Sequence, residues 1–485
     1  MGSFTFKKWN IILGWFVFSI ALVTYWSTVE PTASFWDAGE YITTASNLEV
    51  GHPPGAPLYQ LMGAFFSIFA IEATNIALTI NLMSVFASAF TVLFMFWSVT
   101  ILLSNLVKNN DTFTKNNQIA ILGSAAVGSL SFAFTDSFWF SAVEAEVYAM
   151  AAFIMSVLFY AGLRWENEMF SPRGDKWVIL IAFIVGLSFG VHFMGLLTIP
   201  AIGFLYFFKN YQKVTVKNFL IANVVTVAIL LFIFKLLLPM TLRFFSAAEI
   251  FFVNQINMPF NSGTIIAGCV FLAVFYFGLR YTRSKSFVKL NTLLLCVLFI
   301  FIGFSSWLML PIRANAGTVI NENNPNNARE LLAYYNREQY PETHLFYGPL
   351  FTEAYVGLDR DNPFLDDKPK YEKDLEAKKY VIVNDIKNAK QNFEDSQKAF
   401  LPRMWSLEHN ANYMEITGAV DFEIKREYRS EQLLVDEVAK FREAYDKGLV
   451  DSEDYDKFLK NFGDYLEVEK PGFLTNMRFM FEYQF

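Results

Sequence analysis

About nine apolar runs, many of them long enough to cross a bilayer, fill the first 310 residues of this chain. They lie at roughly 9–28, 74–104, 118–135, 147–163, 177–190, 193–208, 218–240, 263–280 and 288–310. A run of about 18 or more apolar residues reads as a membrane span. In hydrocarbon the backbone must satisfy its own hydrogen bonds, and a helix does so within one segment. The expected fold class is therefore an all-α polytopic membrane protein. Composition agrees: 54% of the residues are hydrophobic, and 54 of the 485 are Phe. The first run is too long for a signal-peptide core and lacks a small-residue cleavage site. Cys269 and Cys296 both fall in apolar runs and read as small hydrophobes, with no disulfide framework or metal spacing. No basic tract interleaved with aromatics occurs, which argues against a nucleic-acid partner.

Positive charge orients the spans. Lys7 and Lys8, Lys108 and Lys115, Arg164, Arg173 and Lys176, Lys209, Lys213 and Lys217, and Arg280, Arg283, Lys285 and Lys289 all fall in one set of loops. The alternate set carries only Arg243. The N-terminus is thus expected in the cytoplasm, with the loop 29–73 and everything after Pro311 outside. Runs 177–190 and 193–208 read as a short hairpin with its tip near Gly190–His192. Within the first loop, Leu58–Ile71 is apolar but too short to span, and is expected to lie along the interface.

After Leu310 the composition shifts. The chain divides into a membrane module, 1–310, and an outward region, 311–485. Residues 312–365 read as looped, with NENNPNN at 321–327. Residues 366–400 and about 430–466 read as helical, so the outward region is expected to be mostly helical. The aromatic ending FLTNMRFMFEYQF has no polar terminus, and the natural chain is expected to continue beyond it.

Candidate chemistry gathers on the outward side. Ser34–Tyr59, SFWDAGEYITTASNLEVGHPPGAPLY, places Asp37, Glu40, Glu49 and His52 beside a backbone that Gly and Pro keep from forming a regular helix. Acidic groups next to a span are costly to keep dry. Asp37 and Glu40, three apart, would share a face in a helical turn at the end of the first span. One could accept a proton from a hydroxyl while the other positions it or a cation. His52 could contact a phosphate or orient a carboxylate. Glu144 and Glu146 are two apart, so on a helix they would point apart and one would face the cavity. His192 lies in a span pair, where a locally satisfied His is the equal alternative. Arg313 and Arg337 suit a phosphate head group, with interfacial snorkelling as the plainer reading. The plainer reading of the whole segment is a solvated polar connector. No GxxxxGK[ST], GxGxxG or GxSxG motif occurs.

The stretches FWDAGEYI (35–42), GHPPGAPLY (51–59), AVEAEVYA (142–149), GLSFGVHF (186–193), PIRANA (311–316), ENNPNN (322–327) and NREQY (336–340) together resemble a family. They are similar to the GT-C superfamily of membrane glycosyltransferases and to its protein O-mannosyltransferase branch. The nearest likeness is to a bacterial family, common in Bacteroidota, related to an animal O-mannosyltransferase. The resemblance implies a GT-C-like helix bundle with a long first outer loop. It implies a polyprenyl-phosphate-linked sugar as donor and no required metal or cofactor. It also implies a catalytic acid early in that loop, matched by Asp37 with Glu40 as rival. The HPP motif of the mannosyltransferase branch is usually followed by Lys. Gly55-Ala56-Pro57 stands here instead, which leaves Arg313 as the substitute contact to donor phosphate.

The expected function is an inverting glycosyl transfer to a hydroxyl, of Ser or Thr in exported proteins or of a lipid-linked glycan. It would occur at the periplasmic face of the inner membrane. Asp37 would be the base, with His52, Arg313 or Arg337 stabilising the leaving phosphate. The other class considered is a transporter or membrane scaffold. Transporters place ionisable groups at mid-span and often show duplicated halves. Here Lys235 is the main ionisable group within a span, and no duplication is visible.

Overall fold

A computed structural model describes residues 5–340 except 109–112 and 212. Beyond them it describes 347–349, 359, 361–366, 370–384, 390–393, 395, 398–400, 422–468, 473–474 and 477–478. The chain falls into two compact units, 1–339 and 340–485.

The first unit is helical, and each apolar run read from the sequence forms a helix. α1 (Phe6–Ser27), α4 (Ile76–Lys108) and α7 (Val147–Glu168) are long and almost wholly apolar. α5 (Lys115–Ala133) continues past a 69° bend into α6 (Asp136–Ala142). α8 (Asp175–Ser188) has 14 residues. It turns at 189–192 into a 3-10 segment and α9 (Thr198–Asn210), the hairpin expected for this stretch. α10 (Val216–Leu231) runs through a π turn, Phe232–Leu237, into α11 (Leu238–Ile250). α12 (Ser262–Ser284) and α13 (Val288–Phe304) follow, and α14 (Met309–Asn315) extends α13. Among the described residues seven helices are each long and apolar enough to cross a membrane, and the bent α5–α6 pair would make eight. α8 is too short to be the span expected at 177–190 if it stands alone.

One core joins α1 to α4 and α5. Val17, Phe18, Ala21 and Tyr25 pack on Val85, Ala89, Val92, Leu93 and Phe96, with Leu122 and Ala125. Tyr25 donates to the Ala133 carbonyl at 2.8 Å, so its buried hydroxyl is satisfied. A second core runs through α7, α8 and α13 and includes Phe189, Phe304, Trp307 and Tyr335. Here α8 and α13 cross at two glycines. A Cβ on Gly186 would run into the Ile300 carbonyl, and one on Gly303 into the Phe183 carbonyl. Small residues let membrane helices approach closely enough for dispersion to hold them.

The connector 29–73 is itself folded. α2 (Ala38–Asn47) and α3 (Pro57–Ser67) flank an irregular segment at 48–56. Asp37 and Glu40 thus start a separate helix ten residues beyond α1, and not the end of the first span as the spacing suggested. α15 (Ala328–Asn336) closes the unit by packing on α11. Its Tyr335 donates to the Phe234 carbonyl, in the π turn, at 2.9 Å.

Among the described residues of the second unit, short strands stand beside the expected helices. Its described strands form four two-stranded antiparallel ladders: β1 (Tyr347–Pro349) with β6 (Lys398–Phe400), β2 (Phe364–Leu365) with β5 (Lys390–Gln391), β3 (Lys370–Asp374) with β4 (Lys379–Asn384), and β7 (Phe422–Ile424) with β8 (Leu466–Val468). The expected helix over 366–400 meets the β3–β4 hairpin. Tyr380-Val381-Ile382-Val383 is β-branched and aromatic, which favours a pleated strand over a helix. The reading at 430–466 holds as two helices, α16 (Gln432–Asp446) and α17 (Ser452–Phe462), over a core of Phe422, Leu434, Val438, Tyr455, Phe458 and Leu459. Most of the closing aromatic stretch lies outside the described residues.

Gly303→Val should cost about 1–3 kcal/mol by overpacking the α8–α13 crossing. A thermal melt of the detergent-solubilised chain would show it as a lowered Tm, with Gly278→Val, which faces only a side-chain methyl, much milder.

Candidate active site at the start of the second helix

The loop leaving α1 is held from two sides. Glu30 donates its N–H to the Val143 carbonyl at 3.0 Å. Asn81 of α4 donates to the Glu30 and Thr32 carbonyls at 2.6 and 2.9 Å. Trp36 then takes a left-handed backbone, φ 61°, and Asp37 opens α2. Asp37 is exposed, and Glu40 sits in the first turn.

The HPP segment returns to this turn. Its Pro53–Pro54 bond is cis. Gly55 has φ +72° and lies against the Tyr334 ring, where a side chain would fit neither the backbone nor the space. Tyr334, fully buried, donates to the Gly51 carbonyl. Val50 donates to the Ile320 carbonyl at 3.1 Å and accepts from Glu322 at 3.0 Å, so the Asn-rich loop pairs with the segment. Leu58 and Tyr59 donate to the Gly190 carbonyl at 2.7 and 3.1 Å.

These tethers bring His52 onto Glu40. The His52 N–H donates to Glu40 Oε1 at 2.6 Å, and Nδ1 meets Oε2 at 2.9 Å. Nε2 faces Asp37 Oδ2 at 3.8 Å. The Glu40 hydrogen bond raises the His52 pKa against the opposing effect of burial, and the Asp37 charge adds to it. Burial pushes Glu40 up, but its hydrogen bonds to His52 prevail and hold it below the ordinary carboxylate value. Both partners are therefore charged together over a widened pH range. Asp37, Glu40 and His52 offer one ligand atom each within 4.8 Å of one another, a grouping able to hold a metal ion. Glu40, however, already spends both oxygens on His52, as a carboxylate does when it orients a ligating or acid–base imidazole.

Glu144 and Glu146 depart from the helical expectation. They lie between α6 and α7 in non-helical backbone, and both are buried. A tight turn, in which the Glu146 N–H donates to the Glu144 carbonyl at 2.9 Å, leaves both side chains buried. Glu144 Oε2 accepts from Ser34 Oγ at 2.6 Å. Glu146, 6% exposed, accepts the backbone N–H of Asp37. Burial, then the charges of Asp37 and Glu144, push its pKa up to about 7.

His192 is satisfied locally: Nδ1 accepts from the Met194 N–H at 3.1 Å, and the ring packs on Tyr148. Burial first, then the charge of Arg337, lower its pKa. Arg337 ends α15 with φ 57°. Arg313 spends its guanidinium on α2: Nε donates to the Leu48 carbonyl and Nη2 to that of Asn47 at 3.2 Å. It is a cation at a helix C-terminus, favourable to the macrodipole. Sequence reasoning passed over Tyr334; Tyr41, expected to flank the Asp37–Glu40 pair, has its buried ring 5.8 Å from His52 and 5.2 Å from Tyr59. Tyr41 falls in a stretch that carried the resemblance, whereas Tyr334 lies between two of them and had no signal in the sequence.

Two outcomes follow. Arg313→Met should cost about 1–3 kcal/mol by stranding the α2 carbonyls, lowering Tm. Glu146 is favoured protonated in the fold, so its stabilising effect is present at low pH and is lost as pH rises from about 4.5 to about 7. Glu146→Gln should therefore raise Tm above about pH 7 and leave it unchanged below about pH 4, read by melts across pH.

Comparison with known proteins bears on this half of the chain. Residues 37–215 match a family model described as the protein O-mannosyl-transferase TMEM260 N-terminal domain. Residues 341–481 match a family of unknown function, DUF8416. Protein O-mannosyl-transferase tmem260 of Dictyostelium discoideum is 26% identical over 206 residues, which is 40% of this chain and 23% of that protein. The protein of that name in Mus musculus is 26% identical over 175 residues, 36% of this chain and 22% of its own length. The matched stretch thus spans less than a quarter of each relative. No solved structure matches. Over the stretch that holds Asp37, Glu40, His52, Glu144, Glu146 and His192, the chain is O-mannosyltransferase-like, as its motifs suggested.

Proposed function

We propose that this chain is an inverting membrane glycosyltransferase that moves a sugar from a polyprenyl phosphate to a hydroxyl of an exported protein. Both compared relatives carry the name protein O-mannosyl-transferase. The observation that carries the reading is the line Glu40–His52–Asp37, ending in an exposed carboxylate.

In this reading Asp37 takes the proton of an acceptor Ser or Thr hydroxyl as the oxygen attacks the anomeric carbon. The bond from that carbon to the phosphate oxygen breaks, and the electron pair leaves with the lipid phosphate. His52, whose protonated form the Glu40 hydrogen bond favours, sets a positive charge beside the reacting groups. Arg337, with His52, is assigned to the leaving phosphate, where preorganised cations act on developing charge. Arg313, committed to the α2 carbonyls, is assigned to positioning α2. Glu144 and Glu146 shape the acidic floor next to the acceptor. The donor enters from the outer leaflet. The apolar face of α3 and the turn after it, with Leu61, Phe65, Ile68 and Phe69 exposed, lies along the membrane surface. The N-terminus is then cytoplasmic and the site periplasmic, following the Lys/Arg bias of the loops.

Asp37→Asn should lower transfer from a polyprenyl-phosphate sugar about 10²–10⁴-fold while leaving Tm unchanged. The assay uses purified, folded protein with a lipid-linked sugar and a Ser/Thr peptide. Transfer at the parent rate would remove Asp37 from the mechanism.

A further inference from the structure

Directly before Asp37 stand two large aromatic side chains that the fold leaves uncovered: Phe35 is 82% and Trp36 87% exposed. Among the described residues neither ring packs against another aromatic ring. The backbone beneath them is not an accident of a loose loop. Asn81 and Val143 hold the loop on its upstream side, and α2 begins on the other. Between these anchors Trp36 sits at φ 61°, a conformation that a bulky residue adopts at a cost and that glycine adopts freely. Strain retained at a point where it serves no packing contact calls for a functional reason. An interfacial Trp that only anchors a loop to lipid does not need a left-handed backbone. A ring that must be presented one residue from a reacting carboxylate does.

The surroundings narrow the occupant. Asp37, Glu40 and Glu322 are acidic, and the His52 cation is already engaged by Glu40. On the acceptor side, where Asp37 and Glu40 carry the charge, an anionic acceptor is poorly matched and a neutral or basic one is well matched. Exposed, conformationally restricted Trp and Phe are the anchors that polypeptide partners use, because they bury much area for little lost freedom.

We propose that Phe35 and Trp36 form the docking shelf for the acceptor polypeptide. An extended, neutral-to-basic segment would lie across both rings so that its hydroxyl residue reaches Asp37. This rests on the reading of Asp37 as the group that takes the acceptor proton.

The test is direct binding of labelled Ser/Thr peptides to the full chain in detergent, by fluorescence anisotropy with no donor present. Peptides flanked by Lys should bind tighter than those flanked by Glu. Trp36→Gly removes the ring and also relieves the backbone, so binding should weaken about tenfold while Tm holds or rises. Trp36→Phe should restore binding. A role in stability alone would move Tm down and leave peptide affinity unchanged. Asp37→Asn should keep the ring-dependent part of peptide binding, lose part of the preference for Lys-flanked peptides, and fail in transfer. Binding lost in Trp36→Gly with transfer retained in Asp37→Asn would reject the proposed chemistry and keep the shelf. Trp36→Gly binding peptide as the parent does, with weakened partition into lipid vesicles, would make the rings a membrane anchor and overturn the proposal.

Discussion

Irregular backbone buried among membrane helices must find a partner for each of its polar groups, and the stretch Glu49–Tyr59 shows how this chain meets that demand. Val50 bonds to the Asn-rich loop, the Gly51 carbonyl to Tyr334, the His52 N–H to Glu40, and Leu58 and Tyr59 to the Gly190 carbonyl. Each bond draws in a different part of the unit: the loop after α14, helix α15, helix α2, and the turn between α8 and α9. An unpaired group here would cost the full desolvation penalty. The requirement to satisfy this one segment therefore assembles elements that lie up to 283 residues apart in sequence.

The helices around it supply a rigid frame by a different means. Apolar surface facing lipid gains little from burial, so close approach and dispersion hold the bundle together. Gly186 and Gly303 bring α8 against α13, and aromatic rings fill the remaining space: Phe189, Phe304, Trp307 and Tyr335 pack in one cluster. Trp307 donates to the Phe189 carbonyl at 2.8 Å, so even the bulkiest buried ring leaves no polar atom stranded. The π turn in the α10–α11 helix shows the same economy, since its Phe234 carbonyl is taken by Tyr335.

Electrostatics within the site follow from this frame. Glu40 and His52 are held so close that each favours the charged form of the other, although both lose water. Glu146 has two carboxylates near and, among the described residues, no ion pair, so nothing offsets the rise that burial causes. Neighbouring acidic side chains in one loop cluster thus behave differently because their partners differ. Arg313, the cation that sequence patterning assigned to a phosphate, is instead spent on the carbonyls that end α2.

The membrane helices were legible in the sequence because lipid imposes a local rule: enough consecutive apolar residues make a helix whatever lies elsewhere in the chain. The grouping of Asp37, Glu40 and His52 was legible for a similar reason, since only 15 residues separate them and Gly and Pro bend the chain between. The β3–β4 hairpin was misread because charged residues around Tyr380–Val383 mimic a mixed helical face, and cross-strand pairing with residues 370–374 decides the matter. Only the tertiary structure settled that Glu144 and Glu146 both turn inward, that Arg313 caps a helix, and that Tyr334 supports the HPP segment. Each of those outcomes depends on a partner brought in from a distant segment. Hydrogen bonds and charge pairs act over a few ångströms of space, and a sequence records only the spacing along the chain.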